Sequence, residues 1–243
     1  MAAEFATTLM PSSAETDLIR ELERAQHLHQ ARQASPRLAA ALDRVAAWQS
    51  RRLNATYADL VRDPRYAEAI RFFQSDLYGP GDYSRRDADL ARVVPILARV
   101  LPEGVIAIIA KAIELSALSH ELDRTLVAKL GEDSPLSVAS YCAAYRACDN
   151  RNERERQIAL IVEVGAALDR YVDMPLLRSA LAAMRRPARI AGVGALQEFL
   201  ERGLLSFRGM NGAREFLAVI EARETAVMRA ILAGDDAPFA EPA

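Results

Sequence analysis

The longest helical pattern in the chain lies at residues 102–130 and reads PEGVIAIIAKAIELSALSHELDRTLVAKL. Pro102 favours a helix start, and the glycine that follows Leu130 favours a stop. Apolar residues fall on nearly every side of this helix, and a helix that is apolar all round is typically buried. We therefore predict a central, buried helix with the remaining chain packed around it.

The rest of the chain also has the residue spacing of helices. Alanine and leucine dominate, β-branched runs are short, and apolar residues recur at helical rather than alternating positions. Turn signals such as Ser35-Pro36, Asp63-Pro64 and the run at residues 78–82 separate the segments. The prediction is an all-α protein in which about nine or ten helices form a bundle around the helix at residues 102–130.

The length of 243 residues suits one large core, and no long polar linker divides it. We therefore expect a single helical domain over residues 1–243, with disordered ends at about residues 1–14 and 234–243. The first residues lack the pattern of a signal peptide, and the apolar run at residues 105–110 is too short to cross a bilayer. These features predict a cytoplasmic protein without membrane insertion.

The charged residues nearly balance, with 31 Lys and Arg against 33 Asp and Glu. A broad surface for nucleic acid or anionic lipid needs a basic excess that the whole chain lacks, so we predict no nucleic-acid partner. A local basic cluster remains at Arg185, Arg186 and Arg189. We interpret it as a solvated helix junction, with anion binding at a helix start at Pro187 as the alternative.

Two stretches, RFFQSDLYGP at residues 71–80 and DYSRRD at residues 82–87, resemble a bacterial family named for the motif Phe-Phe-Leu-Glu-Glu-Leu-Tyr. Gln74, Ser75 and Asp76 stand where the motif has Leu-Glu-Glu. Further similar stretches lie at residues 48–49, 52–53, 57–60, 118–123 and 199–203. The resemblance implies an all-helical bacterial protein. Because no activity or catalytic residue is established for that family, it transfers no chemistry.

One polar pair falls within an apolar face of the central helix. His120 and Asp123 are three residues apart, which places them about 60° apart on the same side of a helix. The carboxylate could then hydrogen-bond the imidazole, fix its tautomer and raise its pKa. General-base catalysis or a supported metal ligand requires a histidine held in this way. The alternative is a buried polar pair that its neighbours satisfy.

A second candidate site is the turn that precedes the helix starting near Ser84. Tyr78, Asp82, Arg86 and Asp87 concentrate polar groups around glycine and proline, and could line the mouth of a ligand pocket. The alternative is structural: Asp82 closes the turn, Asp87 caps the helix, and Arg86 pairs with one of them.

No catalytic motif accompanies these candidates. The residue three before His120 is Ala117, so the Glu-x-x-His pattern of di-iron bundles fails, and no phosphate loop, nucleophile elbow or zincin motif occurs. The sequence indicates no particular cofactor. We predict a non-catalytic binding or protein-interaction module that contacts a protein partner or a second copy. The alternative is an enzyme or small-ligand-binding protein that uses His120 and Asp123 as base or metal site, with Tyr78, Arg86 or Glu163 completing it.

Overall fold

The computed structural model describes residues 12–77, 84–210 and 212–242. Within these residues the protein is all-α: eleven helices pack together and no strand occurs, which confirms the predicted fold class. In chain order the helices are α1 (Ser13–Gln33), α2 (Pro36–Thr56), α3 (Ala58–Arg62), α4 (Ala67–Phe72), α5 (Ser84–Val100), α6 (Glu103–Leu130), α7 (Val138–Ala147), α8 (Arg151–Val172), α9 (Pro175–Ile190), α10 (Gly194–Arg208) and α11 (Arg214–Leu232).

Helix α6 is the central helix, as predicted. It contacts α1, α2, α5, α7 and α8, and it has more contacts than any other helix. Buried residues lie on more than one side of this helix: Ile106, Ile113 and Ala117 share one side, and Leu126 lies on the opposite side. The helix ends at Gly131, whose positive φ of 94° is a conformation that glycine adopts without strain.

The helix count exceeds the predicted nine or ten because one predicted helix is divided. The segment expected to run to about Asp63 is interrupted at Tyr57, whose backbone leaves helical geometry between α2 and α3. The next predicted helix, to Leu77, consists of α4 followed by a π-helical turn at Phe73–Leu77.

Helix α9 continues through Pro187, where we predicted a break and a new helix start. A proline inside a helix removes one backbone hydrogen bond, here the one that would reach the carbonyl of Ala183. Ala183 and Pro187 are both exposed, so water can replace that bond near the end of the helix. An anion site at a helix start at Pro187 is therefore excluded.

Helix α7 begins at Val138, three residues after the Ser134-Pro135 pair. Ser137 and Ser140 form a capping box in which the backbone N–H of each donates to the hydroxyl of the other, at 2.9 and 3.2 Å. This reciprocal cap satisfies the first amides of the helix, and so sets its start.

The C-terminal tail after α11 is packed, although it has no helix. The ring of Phe239 lies 6.0 Å from the ring of Trp48 and 6.3 Å from that of Tyr141, between centroids. The carboxylate of Glu241 accepts a hydrogen bond of 2.9 Å from the backbone N–H of Val138. The segment that we predicted as disordered thus contacts α2 and α7 through these two residues.

At the other end of the chain, α1 begins at Ser13 and Ala14 is buried, within the segment that we predicted as disordered. The remainder of that predicted segment, residues 1–11, lies outside the described residues. Among the described helices, none has both the length and the apolar character that crossing a membrane requires.

Candidate functional site

Helix α6 places the predicted pair, His120 and Asp123, in two different polar clusters. The ring of His120 lies 6.2 Å from the ring of His29 on α1, between centroids. Asp123 instead accepts a hydrogen bond of 2.7 Å from the side-chain amide of Gln49 on α2. Because α6 is enclosed on several sides, one turn of the helix is enough to give the two residues different neighbours.

The first cluster, which we call the histidine cluster, consists of His29, Arg86, Asp87, Ser116 and His120. The carboxylate of Asp87 lies 3.0 Å from His29 Nε2 and accepts a hydrogen bond of 2.8 Å from Arg86 Nε. Arg86 also reaches Ser116 Oγ at 3.5 Å. The carboxylate of Asp87 thus links α5 to α1, and Arg86 extends the cluster to α6.

The pKa values of this cluster follow from burial and from its charges. Burial acts to raise the pKa of Asp87, but the hydrogen bond from His29 and the charge of Arg86 outweigh it, so that the pKa lies below its ordinary value. Burial lowers the pKa of His120 to about 4, and the nearby His29 acts in the same direction. The carboxylate of Asp87 acts to raise the pKa of His120, but loss of hydration dominates at this position, so the net shift is downward.

The other predicted site residues are dispersed. Tyr78 and Asp82 lie outside the described residues. Arg86 and Asp87 come together and pair with each other, as the structural alternative anticipated for Arg86. Glu163 belongs to neither cluster: it is half-buried on α8 and forms ion pairs with Lys111 and Arg156 at 2.7 and 2.9 Å.

A cavity of about 130 Å³, which we call the central cavity, lies among α2, α6, α7, α8 and α11. Its wall also includes the end of α4, the π-helical turn and the C-terminal tail. Most of the wall is apolar and is formed by Leu53, Ile70, Phe73, Leu115, Ile158, Ile161, Phe216, Ile220, Val227, Met228, Ile231 and Phe239. Polar side chains from these five helices, together with Tyr57 and Gln74, interrupt this apolar surface.

The second cluster, which we call the cavity cluster, consists of Gln49, Arg52, Tyr57, Asp123 and Glu224. Arg52 donates two hydrogen bonds to the two carboxylate oxygens of Glu224, at 2.8 and 2.9 Å. The hydroxyl of Tyr57 donates to the same carboxylate at 2.6 Å. Gln49, which donates to Asp123, also lies 3.5 Å from the hydroxyl of Tyr141 through its carbonyl oxygen.

The buried ion pair of this cluster keeps both partners charged. Burial would raise the pKa of Glu224, but Arg52 holds it below its ordinary value. Burial would lower the pKa of Arg52, but Glu224 raises it overall. The pKa of Tyr57 is raised by burial and by the negative charge of Glu224, so the phenol keeps its proton.

A second group of polar side chains lines the cavity from α6 and α8. The amide of Gln157 donates a hydrogen bond of 2.8 Å to Ser119, and Ser119 donates one of 2.8 Å to the carbonyl of Leu115. The guanidinium of Arg154 lies 4.4 Å from the centre of the Tyr145 ring, a distance typical of a cation–π contact. Amide, hydroxyl and guanidinium groups therefore line the cavity at several points.

Sequence reasoning missed the ion pair between Arg52 and Glu224, which are 172 residues apart in the chain. One signal was available: Glu224 lies four residues after Ile220 and four before Met228, on the apolar stripe of α11. A charged residue on such a stripe indicates a buried partner. His29 and Asp87, 58 residues apart, gave no comparable signal.

No group of three or more histidine, cysteine, aspartate or glutamate side chains that could hold a metal ion occurs in the described part of the chain. The chain matches no curated protein and no solved structure. A family model described as "Domain of unknown function (DUF8198)" matches residues 28–238, a span that includes both polar clusters and the lining of the central cavity except Phe239. The match extends over most of the 243 residues, and the chain therefore belongs to the DUF8198 family.

Proposed function

We propose that the protein binds a small, mainly apolar molecule with one hydrogen-bonding end in the central cavity. The observation that carries this proposal is a cavity of about 130 Å³ with apolar walls and several buried polar groups. Ligand sites typically combine mostly apolar walls with a few placed polar groups. An engineered apolar cavity of about 150 Å³ takes up benzene, so the volume suits a single aromatic ring.

The charged side chains of the cavity wall are Arg52, Glu224 and Arg154, and Arg154 packs its guanidinium on the ring of Tyr145 and donates to Gln157 at 3.4 Å. The ion pair between the other two favours a neutral ligand. The charges of Arg52 and Glu224 offset each other through two hydrogen bonds. A charged ligand would have to compete with this pair, or be buried without compensation, which costs several kcal/mol. Neutral polar groups such as the amides of Gln49 and Gln157 can instead contact a hydroxyl or ring nitrogen.

The titration behaviour of the cavity supports binding without catalysis. A general acid or base works best when its pKa lies near the working pH. The pKa of Glu224 is lowered by Arg52 despite burial, and the pKa values of Tyr57, Tyr141 and Tyr145 are raised by burial. These four groups therefore exchange protons poorly near neutral pH.

The test of this proposal is a titration of the purified protein with phenol, followed by ligand-observed NMR. We expect saturable binding that Val227→Phe weakens about tenfold or more, because the larger ring fills the cavity. The matched control is Val61→Phe, since Val61 is 37% exposed on α3 and does not line the cavity. Absence of binding, or equal affinity of both variants, would contradict the proposal.

The hydrogen-bonding end is tested by comparing phenol with toluene. Gln157→Leu removes one polar group of the wall while keeping a similar volume. We expect it to weaken phenol binding several-fold and to leave toluene binding nearly unchanged, because only phenol offers a hydroxyl. Equal losses for the two ligands would show that Gln157 acts through packing alone.

A second candidate function is acid–base chemistry at the histidine cluster. It is favoured by the contact of 3.0 Å between His29 and Asp87, an arrangement that orients an imidazole. Hydrolysis of p-nitrophenyl acetate is a general probe of a reactive histidine. Hydrolysis that His29→Gln abolishes, and that the exposed His27→Gln retains, would support this candidate; a rate equal to that of free imidazole would reject it.

Three predictions from the sequence are kept beside this proposal. The first is a cytoplasmic location, and the second is a relation to the bacterial family named for Phe-Phe-Leu-Glu-Glu-Leu-Tyr. The third, contact with a protein partner, concerns a different surface from the central cavity.

A further inference from the structure

Helix α9 carries a concentrated positive charge. Four of its sixteen residues are arginines and none is acidic, in a chain whose formal charge is −2. The helix lies at the edge of the fold, where it packs mainly on α10 and more weakly on α8. Leu177 and Leu181 pack against the core, while the four arginines are exposed. The basic face of α9 therefore points to solvent.

A groove of about 510 Å³, which we call the arginine groove, runs between α9 and α10. Arg178, Arg185 and Arg208 line it, together with Glu201 and Leu205. Glu201 pairs with Arg185 at 2.7 Å. Within the described residues, neither Arg178 nor Arg208 has a carboxylate within ion-pair distance. The groove thus carries more positive than negative charge.

Exposed apolar side chains are also concentrated at this edge. Five large apolar residues of the described chain are more than a third exposed, and three of them, Met184, Ile190 and Leu205, lie on α9 and α10. Leu205, 57% exposed, lies in the groove itself, and Ile190 is 79% exposed at the end of α9. Apolar side chains beside unpaired arginines are typical of a surface that a partner covers.

We propose that the arginine groove is a docking surface for an acidic amphipathic helix of a partner protein. The carboxylates of such a helix would pair with Arg178 and Arg208, which are planar donors suited to carboxylates. Its apolar face would cover Leu205. This proposal concerns a different part of the molecule from the central cavity, and does not depend on ligand binding there.

The shape and lining of the groove favour a helix over a lipid surface or a nucleic acid. A helix that lies on a bilayer buries its apolar face in lipid, whereas α9 packs Leu177 and Leu181 against its own protein. The groove is concave, so a flat surface would not fill it. Its described lining contains no aromatic side chain on which a base could stack.

The probe is a fluorescein-labelled amphipathic peptide of about four helical turns, with leucines on one face and glutamates on the other. We expect saturable binding by fluorescence anisotropy, with an affinity that falls as salt is added. The double variant Arg178→Glu/Arg208→Glu should weaken binding at least about tenfold, because it replaces attraction by repulsion. Leu205→Ser, which tests the apolar contact without a charge change, should weaken it several-fold.

The matched control is Arg51→Glu/Arg229→Glu. Both arginines are exposed, form no ion pair in the described residues and give the same change of net charge. Circular dichroism verifies that every variant is folded. The proposal is overturned if the peptide does not saturate, or if the control pair weakens binding as much as the groove pair. It is also overturned if phosphatidylserine vesicles or a single-stranded oligonucleotide bind and the peptide does not. The same holds if the protein is a dimer that Arg178→Glu converts to a monomer, since a second copy would then occupy the groove.

Discussion

In the cavity cluster, Arg52 and Glu224 bind each other through two hydrogen bonds, and both remain charged although Arg52 is buried and Glu224 is mostly buried. In the histidine cluster, one carboxylate, Asp87, serves both Arg86 and His29, and the neighbouring His120 remains neutral at pH 7. Both clusters include residues of α6 and place polar groups in the interior, but they stabilise those groups differently. The charges of Arg52 and Glu224 stay fixed over the physiological pH range, whereas His120 of the histidine cluster has a pKa of about 4.

The largest expected loss of stability comes from breaking the ion pair between Arg52 and Glu224. Glu224→Gln leaves the guanidinium of Arg52 buried without its counter-charge, which should lower the free energy of unfolding by about 3–5 kcal/mol. Urea unfolding at pH 7 measures this loss. The control is Asp59→Asn, which breaks the exposed pair with Arg223 and should cost far less. Similar losses for the two variants would show that burial does not distinguish these ion pairs.

The next largest effect concerns how the free energy of unfolding depends on pH. The pKa of His120 is about 4 in the folded protein and 6.5 when unperturbed, so the unfolded chain binds more protons between these values. Stability should therefore fall as the pH is lowered from about 6.5 to 4, by on the order of 3 kcal/mol from this residue. Urea unfolding across this range should show a shallower pH dependence in His120→Gln than in the wild type.

The exposed His27 provides the control for this titration. His27→Gln removes an exposed histidine of α1 and no buried contact, so it separates the effect of the His120 position from that of losing any histidine. Asp87 contributes in a different range: its lowered pKa keeps its stabilisation in place above the ordinary value of 3.8, and that stabilisation is lost as the pH falls through the folded value. An unchanged slope in His120→Gln would contradict the assignment of His120 as a neutral, partly buried histidine.

The smallest expected effect comes from two buried serines of α6, Ser116 in the histidine cluster and Ser119 in the wall of the central cavity. Ser119 accepts a hydrogen bond of 2.8 Å from Gln157, whereas Ser116 meets Arg86 at 3.5 Å. Ser119→Ala should lower the free energy of unfolding by about 1–2 kcal/mol, and Ser116→Ala by about 0.5 kcal/mol or less. Thermal unfolding of the two variants gives the difference. A larger loss for Ser116→Ala would mean that the histidine cluster is the more tightly bonded of the two.

The central helix could be predicted because its evidence is local. An apolar run on nearly all sides, a proline at the start and a glycine at the end indicate a buried helix wherever they occur together. The structure places this helix at Glu103–Leu130, as expected. The break predicted at Pro187 was wrong for a reason that is not local: the ring and the carbonyl it leaves unbonded are both exposed, so the helix can continue.

The candidate site could be predicted only in part. The pattern identified His120 and Asp123 as polar residues on an apolar helix, and Asp123 is indeed buried. Their spacing suggested that they pair with each other, but spacing describes one helix and not what surrounds it. His120 lies near His29 and Asp123 bonds Gln49, because α1 and α2 pack against different parts of α6.

Local chemistry therefore accounts for the helical class, the central helix and most helix positions, since caps, prolines and apolar periodicity act over a few residues. The packing of helices that are distant in the chain decided the rest. It brought Arg52 to Glu224 and His29 to Asp87, left a cavity between α2 and α11, and placed the arginines of α9 beside Leu205. Such contacts depend on how whole helix faces fit together, and a burial pattern alone does not specify which face meets which.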